Sequence, residues 1–344
     1  MTKLRIYQRL RKPSPNPNKF LRLNRAEYGS LFKKKKYEYD NFYPNIDPLI
    51  DSASKFYKVS KDKIIIGLGA ESLIKDIFLF ASLYKIKKVL LNSNNFFMYR
   101  YYSKLFGIKI SEYLINPLDN YFDEKDLLKK IKKNKVDFVV LVNPSHPFEK
   151  YWKISQLKKI IHYCKKNNII VTVDEVYLSK STNSSVKLIN QYDNLIVLKS
   201  LSKMPGLPGL RVGFLFANNK LKDYLNSLRL AIELPENSIR KATKYLSNPN
   251  KYIFPNIRKI HSAREYAKLE FKRRKIKSFG DHGNSVSALL RNSQQVLSVG
   301  KFLQKNKVLI NFTFPKPLDK FINLTTTNKK NIKIFFKNLD KIYK

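Results

Sequence analysis

Ser200-Leu201-Ser202-Lys203-Met204-Pro205-Gly206-Leu207-Pro208-Gly209-Leu210-Arg211-Val212-Gly213-Phe214 closes a short apolar run, 195–200, that reads as a buried strand. A lysine just past such a strand, flanked by two serines, is placed to be desolvated and to lie near an anion. Desolvation lowers the pKa of an amine, which is what a lysine that forms a Schiff base requires. The hydroxyls of Ser200 and Ser202 can donate to a phosphate, and Arg211 can neutralise it with its planar fork. Gly206 and Gly209 permit the turn that brings Arg211 back alongside Lys203. Ser-x-Ser-Lys alone carries little information. The full run through Gly-Leu-Pro-Gly-Leu-Arg is far more specific.

Working outward, short apolar runs at 64–67, 88–92, 137–143 and 169–174 read as further buried strands. Helical spacing fills 71–83, 123–132 and 154–167 between them. This alternation predicts an α/β fold of parallel βαβ units, with helices on both faces of one sheet. Ligands in such sheets bind beyond the carboxyl ends of the strands. After about residue 235 the pattern changes to a basic helical stretch at 257–275, short strands at 286–290, 308–310 and 321–324, and a helix at 330–343. The expected division is an N-terminal arm at 1–40, a large domain at 41–235 and a smaller α+β domain at 236–344.

The strand ends carry the remaining chemistry. In Val171-Thr172-Val173-Asp174-Glu175-Val176-Tyr177, Asp174 ends a strand, where a carboxylate can pair with a protonated pyridine nitrogen. The plainer reading of Asp174 alone is a residue capping a turn. Tyr177, three residues on, can hydrogen-bond a phenolic oxygen on such a ring. Asn143, in Asn143-Pro144-Ser145-His146-Pro147, offers a side-chain amide to the same oxygen. Gly67-Leu68-Gly69-Ala70-Glu71-Ser72 lies between a strand and a helix, exposing N–H groups for a phosphate. It lacks the third glycine of a dinucleotide fingerprint, and no Gly-Lys-Ser/Thr makes it a P-loop. His146 reads as a loop histidine, because nothing pairs with it as a metal site or catalytic triad requires. No metal is expected.

The 344 residues are 43% hydrophobic, enough for a sizeable core. The single cysteine, Cys164, excludes an internal disulfide framework and fits a reducing, cytoplasmic setting. No apolar stretch approaches the roughly 20 residues that span a bilayer. The basic, proline-bearing start lacks the apolar core of a signal peptide and reads as an arm. A net charge of +42 raises nucleic-acid binding. The lysines are scattered, however, and no basic run is interleaved with aromatics in a nucleic-acid motif. They read as solvated surface in a compositionally biased chain, so neither nucleic acid nor membrane is expected as a partner.

Taken in order, these elements resemble the class I/II aminotransferases of the pyridoxal-phosphate (PLP)-dependent transferase fold type I, the histidinol-phosphate aminotransferase family in particular. The resemblance runs from about residue 20 to the C-terminus. It includes Leu23-Asn24-Arg25-Ala26-Glu27, Tyr43-Pro44-Asn45 and Phe96-Phe97-Met98-Tyr99. It implies that Lys203 carries PLP, that Asp174 holds its pyridine nitrogen, and that Asn143 and Tyr177 hold its phenolic oxygen. Phe96 would stack on the ring. The phosphate would be gripped by amides of Gly69, Ala70 and Glu71, by Ser200, Ser202 and Arg211, and by Tyr43 across a homodimer interface. Glu27 and Tyr28 would lie at the substrate.

The departures bear on substrate. The family's Asn-Pro-x-x-Pro-Thr-Gly loop ends here in Pro147-Phe148-Glu149. The arginines that the family uses for substrate anions align with Asn323 and Asn311, and an asparagine cannot replace an arginine's bidentate pair. Either the donor is not histidinol phosphate, or Arg291, Lys316 or Lys320 supplies the charge. The resemblance implies transamination between an amino donor and a keto acid. A PLP-dependent amino-acid-phosphate decarboxylase and a non-catalytic basic binding protein on the same fold are the alternatives.

Overall fold

Successive residues of a strand point to opposite faces, and the central strands divide their apolar residues accordingly. The computed structural model describes residues 43–115, 118, 123–178 and 183–343. The expected arm, with Glu27 and Tyr28, lies outside them. The chain runs α1 (Asp47–Tyr57), β1 (Ile64–Leu68), α2 (Gly69–Leu83), β2 (Lys88–Asn92), α3 (Phe97–Leu105), β3 (Lys109–Tyr113), α4 (Glu124–Asn134), β4 (Phe138–Val142), α5 (Ile154–Lys166), β5 (Ile170–Asp174), β6 (Leu195–Ser200) and β7 (Val212–Ala217). It continues through α6 (Asn219–Ser227), α7 (Glu236–Ser247), α8 (Pro249–Tyr252), α9 (Phe254–Arg273), β8 (Ser278–Phe279), β9 (Ser285–Leu289), α10 (Ser293–Lys305), β10 (Phe321–Thr325) and α11 (Lys329–Leu339).

The large sheet has seven strands in the order β1-β7-β6-β5-β4-β2-β3. β3, β2, β4, β5 and β6 pair in parallel, as the alternation predicts. β7 runs antiparallel to both β6 and β1. Ile64, Ile66, Val139, Leu141, Val171 and Val173 face α1, α4, α5 and α7 in one core. Ile65, Phe138, Val140, Ile196 and Leu198 face α2, α3 and α6 in the other. Such two-sided burial explains why the parallel strands read as near-continuous apolar runs. β3, Lys-Ile-Ser-Glu-Tyr, escaped that reading because it is a polar edge strand.

A second, antiparallel sheet, β10-β9-β8, is covered by α9, α10 and α11 around Phe271, Val286, Leu303, Ile322 and Phe336. The expected strand at 308–310 does not form. Lys307 turns left-handed just before it, with φ 61°, and only Asn311 reaches β10, in a single antiparallel bridge with Asn323. Ile239, Ala242 and Leu246 of α7, with Ile253, pack into the core beneath the large sheet. The change of core therefore falls within α9, beyond residue 235.

Candidate active site

β5 delivers Asp174 to the carboxyl end of the sheet with 3% of its surface exposed. Its Oδ2 accepts the Tyr99 hydroxyl at 2.6 Å and its Oδ1 the Val176 N–H at 3.1 Å. Burial pushes the carboxyl above its usual range, against the pull of those two hydrogen bonds and of Lys203. Among the described residues no cation forms an ion pair with Asp174, whereas the adjacent Glu175, on the other face of the strand, pairs with Lys199 at 2.9 Å. Tyr99, which ends the motif that Phe96 begins, is thus the residue that orients Asp174. α3 begins two residues before it and turns its phenol inward.

The β6–β7 hairpin brings the rest. Lys203 sits in its turn, closed by hydrogen bonds from Gly206 N–H to the Lys203 carbonyl and from Leu207 N–H to the Leu201 carbonyl. Lys203 is exposed to solvent, and its Nζ lies 5.5 Å from the centre of the Tyr177 ring. Desolvation lowers its pKa, Arg211 adds to this, and Asp174 opposes it. Burial keeps the Tyr177 phenol protonated. Arg211 takes a left-handed backbone, φ 51°, and swings its guanidinium over the start of α2. A β-carbon on Gly69 would come within 2.7 Å of Arg211 Nη2, and one on Gly213 within 2.4 Å of the Gly69 carbonyl carbon. The free N–H groups of Gly69, Ala70 and Glu71 and the Arg211 cation therefore share one surface.

Two of the expected phosphate ligands behave differently. The Ser202 hydroxyl is buried without a hydrogen-bond partner among the described residues. Ser200 Oγ instead donates to the Val212 carbonyl at 3.3 Å and accepts the Ser202 N–H, so it shapes the hairpin with its only proton. Asn143 is also engaged. Its Oδ1 accepts the Trp152 N–H at 2.7 Å and its Nδ2 donates to the Trp152 carbonyl at 3.1 Å, fixing the loop after β4. The residue of that loop beside Tyr177 is His146, whose ring stacks on Tyr177 at 4.8 Å and 8°. His146 lies in a loop, as the sequence predicts, and what the sequence did not show is its contact with Tyr177. Its only sequence signal was that it, like Asn143, precedes a proline.

Phe96 heads α3 with its ring 43% exposed and edge-on to Phe97. Tyr43 is exposed at the start of the described residues. On the second sheet, Asn323 is wholly buried; its Nδ2 donates to Ser287 Oγ at 2.9 Å and to the Pro147 carbonyl at 3.3 Å. Asn311 Nδ2 donates to Asn323 Oδ1 at 3.4 Å. Arg291, Lys316 and Lys320 are exposed.

A buried carboxyl without a cation, a buried hydroxyl without a partner, and an N–H surface crossed by an arginine suit a group that brings a pyridinium nitrogen and a phosphate. Residues 34–335 match the aminotransferase class I and II family, and the chain belongs to it. It is a PLP-dependent aminotransferase with small-molecule amine and keto-acid substrates. It is 28% identical over 303 residues to the histidinol-phosphate aminotransferase of Clostridium beijerinckii, spanning 86% of this chain and 80% of that protein. The fold is that of the histidinol-phosphate aminotransferase from Clostridium acetobutylicum, with TM-score 0.78 and 22% identity over 88% of this chain and 90% of that one. The Sinorhizobium meliloti enzyme, solved in complex with pyridoxal-5'-phosphate, superposes with TM-score 0.79 and 16% identity, covering 90% and 85%. Among the described residues no helix is long and apolar enough to cross a membrane.

Proposed function

We propose that the amino group is transferred at the site formed by Lys203, Asp174 and Tyr177, on a donor that no arginine of the second sheet grips. The observation that supports the site is the lowered pKa of Lys203 beside Tyr177 and a buried, cation-free Asp174. PLP, when bound, supplies an electron sink and an aldehyde that exchanges amines. Lys203 Nζ would hold it and would serve as the base for the donor's α-proton; its lowered pKa gives it more free amine at neutral pH than an ordinary lysine has. Asp174, oriented by Tyr99, holds a proton on the pyridine nitrogen. Tyr177 donates to the phenolic oxygen. The N–H groups of Gly69, Ala70 and Glu71, with Ser202 and Arg211, bind the phosphate, and Phe96 covers the ring against water.

The divergent donor is supported by Asn323, whose amide is turned inward to Pro147 and Ser287. A neutral amide held in this way offers no bidentate grip to a carboxylate or phosphate. The relatives act on histidinol phosphate by name, so that amine is the reference against which others are scored. We further propose a cytoplasmic homodimer in which Tyr43 reaches the partner's phosphate site, and a division into an arm, a large domain and a small domain that begins within α9. Borohydride reduction of the yellow protein followed by peptide mapping tests the site, and label anywhere but Lys203 refutes it. A panel of amino donors tests the specificity. Histidinol phosphate turned over faster than every other amine would overturn the divergent-donor reading.

A further inference from the structure

Three anchors fix the loop that carries His146. Asn143 brackets the backbone of Trp152. The Pro147 carbonyl accepts Ser287 Oγ at 2.9 Å and Asn323 Nδ2 at 3.3 Å. The Glu149 carboxylate accepts the N–H groups of His282, Gly283 and Ser285. A loop tied on both sides gives up little further freedom on meeting a ligand.

Between these anchors the His146 imidazole lies flat against Tyr177, with part of its surface open. Its Nδ1 is buried and has no hydrogen-bond partner among the described residues. Buried polar atoms in that condition are rare, and this one lies against a ring that Lys203 Nζ also approaches. Desolvation, with the Lys203 charge, holds the imidazole pKa down to about 4. At neutral pH the ring is therefore uncharged, with one N–H to donate and one nitrogen to accept.

We propose that His146 contacts the cofactor, donating its imidazole N–H to the phenolic oxygen of PLP beside the Tyr177 hydroxyl, and so sets the basicity of that oxygen. The proposal rests on the reading of Lys203 as the attachment site. A donor lowers the basicity of an anionic oxygen. Removing it lets the yellow, proton-sharing form of the bound cofactor persist to higher pH.

The test compares the full-length wild type with His146→Phe, which keeps a ring for Tyr177 but removes the donor, and with His146→Asn, which restores one. Absorbance of the bound cofactor is titrated against pH, and PLP affinity is measured by equilibrium dialysis. For His146→Phe the midpoint should rise by about one pH unit and PLP should bind roughly tenfold more weakly. His146→Asn should recover much of both. His146→Ala is read in parallel, so that misfolding of the Phe variant leaves the midpoint test intact. A donor-less variant with the wild-type midpoint and affinity overturns the role of His146 alone. A wild type that never turns yellow overturns the reading of Lys203, and this proposal with it.

Discussion

Asp174 at the end of β5 and Glu149 in the loop after β4 are equally buried, each 3% exposed. Burial pushes both carboxyls upward. Their surroundings are opposite. Glu149 accepts three backbone N–H groups, from His282 at 3.0 Å, Gly283 at 2.7 Å and Ser285 at 2.8 Å, and the Ser285 hydroxyl at 3.1 Å as well. That fills the roughly four lone-pair sites a carboxylate has and docks the loop onto the turn before β9. Asp174 has two hydrogen bonds and no ion-pair partner among the described residues. A saturated buried carboxylate is a structural joint. One left short of a cation is a binding group waiting for charge.

The largest effect should come from Asp174→Asn, which keeps the shape and removes the charge. We expect kcat to fall about a thousandfold while unfolding stability changes by no more than about 1 kcal/mol. Steady-state kinetics and chemical denaturation of the same sample check both halves, and a large stability loss would erase the contrast. Glu149→Ala should do the reverse. Stranding buried N–H donors is expected to cost about 3 kcal/mol of stability, read as a Tm lower by several degrees, with kcat within tenfold of wild type. Tyr99→Phe deletes one hydrogen bond to Asp174 and should reduce kcat about fivefold, the kinetic equivalent of about 1 kcal/mol. An unchanged rate would mean that Tyr99 does not orient the carboxylate.

The smallest effect falls on the loop joining the two regions. The pKa of His146 is depressed on folding, from 6.5 to about 4. Between those values the unfolded chain binds the extra proton, so stability declines as pH falls through that window and levels off below it. His146→Asn should flatten this part of the stability–pH curve. Equal slopes for the two proteins between pH 6.5 and 4 would place the imidazole in water.

What could be read in the sequence follows the range of the interactions. Lys203 and Arg211 were legible because one hairpin carries both, and Asp174 because it ends a strand whose apolar run is plain. β2, β4, β5 and β6 were legible for the same reason, whereas the polar edge strand β3 was not and β7 gave no local sign of its reversed direction. Asn143 and His146 each precede a proline in one loop, and nothing within that loop tells which faces Tyr177. Only the capture of the Asn143 amide by Trp152 decides it. The role of Glu149 was invisible, since its first partner, His282, lies 133 residues away. The inward turn of Asn323 depends on Pro147, 176 residues distant, and no periodicity reports such a pairing.

The meeting of Gly69 and Gly213 has a consequence for inheritance. A side chain at Gly213 would strike backbone, 2.4 Å from the Gly69 carbonyl carbon and 2.6 Å from the Ala70 nitrogen. No second substitution elsewhere can remove a main-chain atom, so epistasis offers no rescue there. At Gly69 the nearest obstacle is the Arg211 guanidinium. A compensating change could remove it, but only by discarding the cation. Lineages that vary this scaffold can thus wander widely across lysine-covered helices, yet at this turn they walk a ridge one residue wide.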